Sequence, residues 1–392
     1  MPGAQFFGLG GTKMEAAGQE RVVRAEDVAV MGITEVILHM PKIYGKYRQL
    51  VGSFKVRRPD VAVLIDFPDV NFRLAKELKK LGVPVVWFVS PQLWAWKRSR
   101  LRWVQERVAR MMVIFPFEEA FYRARGVAAE FVGHPLAEVA LPGSSRGEYA
   151  ARYGLDAAKL WVALLPGSRR KEVVANLGEM LEAAKELNRL DQRCEFLLPV
   201  ASTLDKGWVE EQIGLRAGSP RVVAVGDSRE AMFHARASIV ASGTATVQAA
   251  IIGNPFVVVY RVSDMTFRVA KRLVRYPEEI PAQEDAAGHL PVGMVNLIAG
   301  RRVVPEFLQE RFTGANLAAA LARLLADGPE RTKMIADLAE VRAKLLPEAG
   351  LAGRKTAIQR VASAVEELLE GSALSRDGQR RSACGRNATG SV

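Results

Sequence analysis

The chain has 392 residues, of which 49% are hydrophobic and 25% are charged, so it holds enough apolar material for two domains of ordinary size. Its two cysteines, Cys194 and Cys384, have no His or Cys nearby at metal-ligand spacing, which argues against disulfide stapling and structural zinc. The sequence has no apolar run of roughly eighteen residues, and its first residues lack the pattern of a secretory signal. These features favour a cytosolic protein.

The formal charge is +12 and the pI is about 9.8, which favours an anionic partner: nucleic acid, an acidic membrane or a phosphorylated substrate. A basic protein without such a partner is equally compatible with the composition. Positive charges cluster at residues 97–102 and 169–171, but no zinc-finger or RNP-type pattern accompanies them. Nucleic acid is therefore the weakest of the three.

Short apolar runs rich in β-branched residues alternate with amphipathic stretches along the chain. The predicted strands are residues 5–9, 61–65, 83–89, 111–115, 161–165, 196–200, 221–225, 238–241 and 256–260. The predicted helices are residues 72–81, 119–125, 173–190, 244–252, 317–325, 334–346 and 357–369. Continuous apolar strands alternating with helices are typical of parallel sheets covered on both faces. The pattern predicts an α/β protein with two doubly wound, Rossmann-like domains.

Small and turn-forming residues at 141–147 interrupt this pattern and mark a boundary. We predict a first domain over 1–145, a second over 150–346, a helical segment over 347–370 that packs back on the first domain, and a disordered tail over 371–392. A doubly wound domain normally opens with a strand, a glycine-rich turn and a helix. Here no helix precedes the strand at 5–9, so the first domain is predicted to be incomplete.

The segment 164–172 (LLPGSRRKE) leads from a strand into a helix through a Pro-Gly-Ser turn. Gly167 lets the backbone approach a ligand, and Ser168 can cap the helix. The free amides of the helix end, with Arg169 beside them, form an anion site. We assign Gly167, Ser168, Arg169 and Glu172 to nucleotide-sugar binding; the alternative is an ordinary capped turn.

A second turn of this kind lies at 241–248 (ASGTATVQ). Two such turns, each at the carboxyl end of a strand, could hold the two phosphates of a nucleotide-sugar. The residues assigned to this half of the site are Ser242, Gly243, Thr244, Ala245, Thr246 and Gln248. The alternative is that Thr244 merely caps a helix.

Asp66 and Asp69 lie just beyond the predicted strand 61–65. Asp66 is nearer to the strand end, which makes it the better candidate for a general base that takes a proton from an attacking alcohol. The alternative is a hydrogen-bonded Asp66 and a helix-capping Asp69. His134 also follows a strand end, and a structural role is favoured for it.

The segment 90–98 (SPQLWAWKR) places two tryptophans beside basic residues. Trp94, Trp96, Lys97 and Arg98 could contact a sugar acceptor or lie at a membrane interface. The alternative is one buried tryptophan and one on the surface. The sequence contains no G-x-S-x-G, P-loop or G-x-G-x-x-G motif.

Taken together, these segments resemble the lipid-A-disaccharide synthase family. The matching stretches run in family order from about residue 3 to about residue 345 and are residues 8–11 with Met14, 30–36, 65–71, 90–96, 115–118, 132–136, 164–172, 242–246 and 295–300. So many ordered matches are far more specific than any single loop.

The resemblance implies a GT-B fold that binds an acceptor lipid mainly in its first domain and a UDP-sugar mainly in its second. The implied inverting reaction joins UDP-2,3-diacylglucosamine to 2,3-diacylglucosamine 1-phosphate (lipid X) and releases UDP. It needs no metal or other cofactor, with Asp66 as base, Arg169 at the diphosphate and Asn296 at a polar position of the cleft. The implied location is the cytoplasmic face of the inner membrane, on an anionic surface, without nucleic acid; a homodimer is left open.

Three departures from the family pattern accompany the resemblance. The family's first strand, A-G-E-x-S-G-D loop and first helix, roughly thirty to forty residues, have no counterpart here. Gln248 stands where the family usually has Glu, and residues 277–288 form an inserted polar loop. Two alternatives follow: a truncated, non-catalytic homologue that binds UDP-sugar or acidic lipid, and another GT-B UDP-N-acetylglucosamine transferase or epimerase.

Overall fold

The computed structural model describes residues 3–27, 33–215, 218, 220–280, 282–285, 287–347 and 355–386, with the backbone alone at 33–40 and 372–386. The strands are β1 (Phe7–Gly10), β2 (Glu20–Arg24), β3 (Ala62–Ile65), β4 (Val85–Phe88), β5 (Arg110–Val113), β6 (Ala129–Phe131), β7 (Leu160–Leu165), β8 (Cys194–Pro199), β9 (Val222–Val225), β10 (Ala237–Ala241), β11 (Phe256–Tyr260) and β12 (Glu306–Leu308). The helices are α1 (Thr12–Ala16), α2 (Ile33–Arg57), α3 (Pro68–Lys80), α4 (Leu101–Arg107), α5 (Pro116–Arg123), α6 (Pro135–Glu138), α7 (Arg146–Tyr153), α8 (Arg170–Leu190), α9 (Lys206–Gly214), α10 (Ser228–His234), α11 (Thr244–Ile252), α12 (Asp264–Leu273), α13 (Met294–Ala299), α14 (Gly314–Leu325), α15 (Pro329–Lys344) and α16 (Ala357–Arg386).

The second half of the chain is built on one six-stranded parallel sheet in the order β12-β11-β10-β7-β8-β9. From β7 the chain adds β8 and β9 on one side, then returns to add β10, β11 and β12 on the other. The strand order therefore reverses between β7 and β10, and open α/β sheets bind ligands beyond the carboxyl ends of the strands at such a point.

The strands of the first half form two separate parallel sheets, β1-β2 and β3-β4-β5-β6. Within β3 the side chains alternate, so that Leu64 is buried while Val63 and Ile65 are 42% and 43% exposed. β4 and β5 carry the core of this half, where Trp87, Met111 and Met112 are fully buried. The doubly wound pattern predicted for the chain is therefore present in both halves, as one sheet in the second and two in the first.

The predicted strands and helices are found with ends shifted by a few residues, except that the helix predicted over 357–369 continues to Arg386, and α11 and β11 have the predicted bounds. Three of the described strands (β2, β6 and β12) were not predicted, and neither were nine of the described helices: the long α2 and the shorter α1, α4, α6, α7, α9, α10, α12 and α13. β6 and β12 have only three residues each, which is too short for an apolar period to be visible in the sequence. In α2, Pro41 interrupts the helical pattern, since proline is normally excluded from helix interiors.

The residues at the predicted boundary lead directly into the second half. Ser145 caps α7 by accepting a hydrogen bond from the amide of Glu148, and Arg146 lies 3.6 Å over the ring of Trp161. The helix α16 contacts β4, and the amide of Ala357 at its start donates to Glu138 Oε1 at 2.8 Å. The last segment thus returns to the sheet of the first half.

The disordered tail predicted from residue 371 differs from the structure, in which α16 continues to Arg386. Gly371 and the serines that follow have low helix propensity, but extending a helix that is already nucleated costs little per residue. Residues 387–392 lie outside the described residues.

Candidate functional site

Two turns lie side by side at the point where the order of the six-stranded sheet reverses. Leu165 at the end of β7 pairs with Val240 near the end of β10, so the turns at 166–169 and 242–243 leave the sheet from neighbouring strands. Adjacent strands are about 4.8 Å apart. The structure thus brings together the two turns that the sequence predicted for the phosphates of a nucleotide-sugar.

The turn after β7 holds a carboxylate of its own chain. Glu172 Oε2 accepts hydrogen bonds from the amides of Ser168 (2.9 Å) and Arg169 (3.3 Å), and Oε1 accepts one from Arg169 Nη1 at 2.9 Å. Gly167 has φ +126°, and a Cβ built on it would lie 2.5 Å from Glu172 Oε2, so only glycine fits. The position predicted for a phosphate is thus taken by Glu172.

In the turn after β10, a side-chain hydroxyl supports the backbone, while the amides at the start of α11 have no side-chain cap among the described residues. Thr246 is fully buried, and its hydroxyl donates to the carbonyl of Gly243 at 2.8 Å, so it supports the turn rather than facing a ligand. Thr244 is exposed and Gln248 is half-buried. Within the described part of the chain, no side chain caps the start of α11. The first amides of this helix can therefore receive an anion, in contrast to those of α8.

Asp66 follows β3 in a left-handed turn, with φ 46° at Asp66 and 43° at Phe67. Asn71 Nδ2 fixes this turn by donating to the carbonyls of Ile65 (3.1 Å) and Asp66 (2.6 Å). Non-glycine residues in this conformation cost free energy and cluster at functional sites. The Asp66 side chain is exposed and has no hydrogen-bond or ion-pair partner among the described residues.

The neighbouring carboxylate, Asp69, is already engaged. It accepts a hydrogen bond from Arg100 Nη1 at 2.7 Å, and this contact lowers the pKa of Asp69. The alternative of a helix-capping Asp69 is not what the structure has, because no side-chain cap is present at the start of α3. Of the two carboxylates, Asp66 is the one free to act on a ligand.

Trp94 does not face a ligand or a membrane, contrary to its assignment from the sequence. It is 2% exposed, and its indole Nε1 donates to Glu118 Oε1 at 3.1 Å, which Ser90 Oγ also contacts at 2.7 Å. Burial raises the pKa of Glu118 to about 7. Burying a carboxyl group costs free energy unless donors form hydrogen bonds with it. The indole of Trp94 is one of these donors, and it therefore lies in the interior.

Trp96 and Lys97 remain on the surface, as the sequence predicted for a contact segment. Trp96 is 47% exposed, and Lys97 Nζ lies 4.0 Å over its ring. Arg98 turns away from them, because its guanidinium donates to the carbonyls of Trp94 and Arg275. Of the four residues assigned to this contact, two are therefore available for it.

The loop beyond β4 and the segment between α5 and β6 meet the second half of the chain at residues 275–280. The ring of Trp94 lies 5.7 Å from that of Tyr276, and Arg125 Nη1 donates to Glu279 Oε1 at 2.8 Å. Ile65 at the end of β3 pairs with Phe88 at the end of β4. Asp66 therefore leaves the same edge of the sheet that faces the second half.

Asn296 was expected in the cleft, and this expectation was wrong. It is 1% exposed, and its amide is fully used within the fold. Nδ2 donates to Val304 O (3.0 Å) and Glu306 Oε1 (2.8 Å), while Oδ1 accepts from the amides of Val303 (2.8 Å) and Val304 (3.0 Å). With all four hydrogen-bonding positions occupied, Asn296 supports the loop before β12.

His134 has the structural role that the sequence favoured. Its Nδ1 accepts a hydrogen bond from the amide of Leu136, and its own amide donates to the carbonyl of Leu345 at 2.8 Å. Burial lowers the pKa of His134 to about 4, so the ring is neutral.

The sequence analysis assigned no role to three buried carboxylates, Glu118, Glu195 and Glu306. Glu306 accepts from the amides of Val292 (3.0 Å) and Gly293 (2.9 Å) and thereby anchors the loop before α13, and Glu118 has been described above. Glu306 is a single Glu within an apolar segment of the sequence, whereas Glu118 stands beside Glu119 and ends the stretch 115–118, which is part of the resemblance. Among the described residues, no cluster of three or more His, Cys, Asp or Glu side chains is arranged to hold a metal ion.

Comparison with known proteins decides the family. The family model described as lipid-A-disaccharide synthetase matches residues 1–359. The chain belongs to this family. It is 53% identical over 386 residues to the lipid-A-disaccharide synthase of Acidobacterium capsulatum, an alignment that covers 95% of this chain and 91% of that protein. The synthase of Koribacter versatilis is 51% identical over 341 residues, which cover 87% and 85% of the two chains.

Solved structures show the fold. The calicheamicin glycosyltransferase CalG4 has a TM-score of 0.53 at 15% identity and covers 93% of this chain and 91% of its own. The UDP-GlcNAc 2-epimerase of Neisseria meningitidis has a TM-score of 0.53 at 11% identity, covering 94% and 100%. This chain therefore has the predicted GT-B fold, with parallel sheets in both halves.

Family membership makes this chain a hexosyltransferase of the lipid-A-disaccharide synthase type, as the resemblance implied. The identity of about one half to named synthases, against 11% to the epimerase, does not favour either alternative reading. Of the residues that the structure describes, no helix is long and apolar enough to cross a membrane.

Proposed function

We propose that this chain transfers 2,3-diacylglucosamine from UDP-2,3-diacylglucosamine to the 6-hydroxyl of 2,3-diacylglucosamine 1-phosphate. The products are UDP and a β-1′,6-linked disaccharide 1-phosphate. The observation that carries the proposal is the pair of turns after β7 and β10 at the reversal of the sheet order, in a chain about half identical to named synthases.

The donor diphosphate lies in this proposal at the start of α11, whose first amides are uncapped within the described residues. Amides and the positive end of the helix attract an anion. Arg169, whose side chain is 71% exposed, belongs to the neighbouring turn, and we assign to it the stabilisation of the charge on the departing diphosphate. In this scheme helix amides and arginine, rather than a metal ion, stabilise the leaving group.

Asp66 acts as the general base. The acceptor hydroxyl oxygen forms a bond to the anomeric carbon of the donor, the bond from that carbon to the diphosphate oxygen breaks, and the hydroxyl proton passes to Asp66. One displacement inverts the configuration of the sugar carbon. The exposed, unpaired carboxylate at the edge facing the second half supports this role.

Both proposed substrates carry acyl chains and negative charge. We propose that the enzyme is peripherally associated with the cytoplasmic face of the inner membrane. A net charge of +12 supports contact with anionic lipid.

The variants Asp66→Asn and Asp69→Asn test the assignment of the base. We expect Asp66→Asn to lower kcat by about two to four orders of magnitude and to leave the Kd for UDP within about twofold, because only a proton acceptor is lost. Disaccharide formation is followed by mass spectrometry and UDP binding by titration calorimetry.

Asp69→Asn is the matched control, because it removes a carboxylate from the same turn that is already paired with Arg100. It should change kcat by less than about threefold, since exposed ion pairs contribute little. Equal losses in both variants would contradict the role of Asp66. Absence of any disaccharide from the unaltered chain would contradict the proposed reaction itself.

A further inference from the structure

The helix α12 carries an apolar stripe on its outward side. Met265, Val269 and Leu273 follow one another at four-residue spacing, so they lie on one face of the helix, and they are 66%, 50% and 62% exposed. Phe267, on the opposite face, and Ala270, on the flank, are half-buried. No residue of this helix is fully buried. Its outward apolar side chains are therefore not needed for the core.

Basic side chains border this stripe. Arg268 and Arg272 lie on the flank of the stripe, one turn apart, and Arg275 follows the helix; all three are exposed. Within the part of the chain that the structure describes, none of the three forms an ion pair with a carboxylate. An apolar stripe flanked by unpaired positive charge is typical of a helix that lies in the interface of an anionic bilayer.

The exposed tryptophan of the first half adjoins the end of α12. Arg98 donates to the carbonyl of Arg275, which places the segment with Trp96 and Lys97 beside the last turn of the helix. Trp96 is an amphipathic side chain of the kind enriched at membrane interfaces. The apolar stripe and the exposed indole thus come from both halves of the chain and lie at the contact between them.

We infer that α12, together with Trp96 and Lys97, is the surface through which this protein docks on an anionic lipid bilayer. The inference rests on the proposed function, because it names the surface by which the cleft is held at the membrane that contains its acylated substrates. A second copy of the chain is the weaker occupant. Two such faces would bring like charges together, and three side chains bury far less area than a stable dimer needs.

Flotation with phospholipid vesicles tests the inference on the full chain without substrate. The unaltered protein should float with phosphatidylcholine vesicles that contain phosphatidylglycerol and much less with phosphatidylcholine alone. Met265→Ser/Val269→Ser/Leu273→Ser should weaken binding to the anionic vesicles by about tenfold or more, because the apolar insertion is lost. Arg268→Gln/Arg272→Gln should weaken it by a similar factor at low salt and by less at high salt.

The matched control is Leu190→Ser/Leu215→Ser/Ile335→Ser, which alters three exposed apolar side chains (66%, 68% and 39%) on separate elements. This control should bind anionic vesicles as the unaltered protein does. Circular dichroism checks that each variant is folded. Equal vesicle binding by the stripe variant, equal loss in the control, or self-association that vanishes in the stripe variant would each overturn the inference.

Turnover of detergent-dispersed substrates, measured in parallel, separates this inference from the proposed reaction. Failure of the reaction would appear as absent disaccharide in detergent, where no vesicle is needed. Failure of the docking surface would appear in flotation alone.

Discussion

Glu118 connects burial to a property that can be measured in solution. Its carboxyl group is 1% exposed and holds Ser90 and Trp94, and burial raises its pKa from 4.5 to about 7. Between these values the folded protein keeps a proton that the unfolded chain has released. The free energy of unfolding therefore falls as the pH rises from about 4.5 to about 7, by up to about 3 kcal/mol.

Replacing Glu118 by Gln removes this titration. The stability of Glu118→Gln relative to the unaltered protein should therefore rise with pH across this interval. Urea unfolding of both proteins at about pH 5 and about pH 8 measures the difference. Ser90→Ala removes a donor to the carboxylate and should raise the pKa of Glu118 further. In this variant the free energy of unfolding should therefore keep falling to a higher pH than in the unaltered protein. Parallel pH curves for the Gln variant and the unaltered protein would contradict the assigned burial.

For single residues, the sequence predicted the positions of the turns better than the direction in which a side chain points. Gly167 and Gly243 follow apolar strands, and the chain can only turn there, so their placement followed from the pattern. Trp94 and Asn296 were assigned to the site from residue type and resemblance. Whether an indole or an amide points into a cleft or into the core depends on partners far along the chain, Glu118 and Glu306, and no local pattern reveals these contacts.

Among the predicted helices, α16 is the one whose length departs most from the prediction, because it continues to Arg386. Its first turns bury Ala357, Val361, Ala364 and Val365, and its start is bound to Glu138 of the first half. The sequence predicted a helix here because these residues recur at helical spacing. It could not predict where the helix continues beyond Gly371, because Ser, Arg and Gly carry no apolar period.

Shortening the chain separates the two parts of this helix. A chain that ends at Thr356 should lose roughly 5 kcal/mol of unfolding free energy, because the buried apolar side chains of α16 are removed. A chain that ends at Gly371 keeps them and should match the full chain within about 0.5 kcal/mol. Urea unfolding measures both. A similar loss in both shortened chains would show that the helix beyond residue 371 also packs on the protein.

For the whole molecule, the alternation of strands and helices was sufficient to predict two Rossmann-like halves and the location of the turns after β7 and β10. The contacts that join the halves were not predictable. Arg125 meets Glu279 across 154 positions in the sequence, and neither residue belongs to a motif. The helix α12 was itself not predicted from the sequence, so its outward apolar stripe was missed with it.

The two halves differ in the continuity of their sheets, and this difference bears on thermal unfolding. In the second half, six strands share one hydrogen-bonded network, whereas the first half divides its strands into groups of two and four. We expect two heat-absorption peaks in a calorimetric scan, with the first half melting at the lower temperature. UDP at about 100 times its Kd should stabilise only the half that holds the turns after β7 and β10, by about 2.7 kcal/mol. UDP would then widen the interval between the two melting temperatures, so that the first half opens while the second half stays folded.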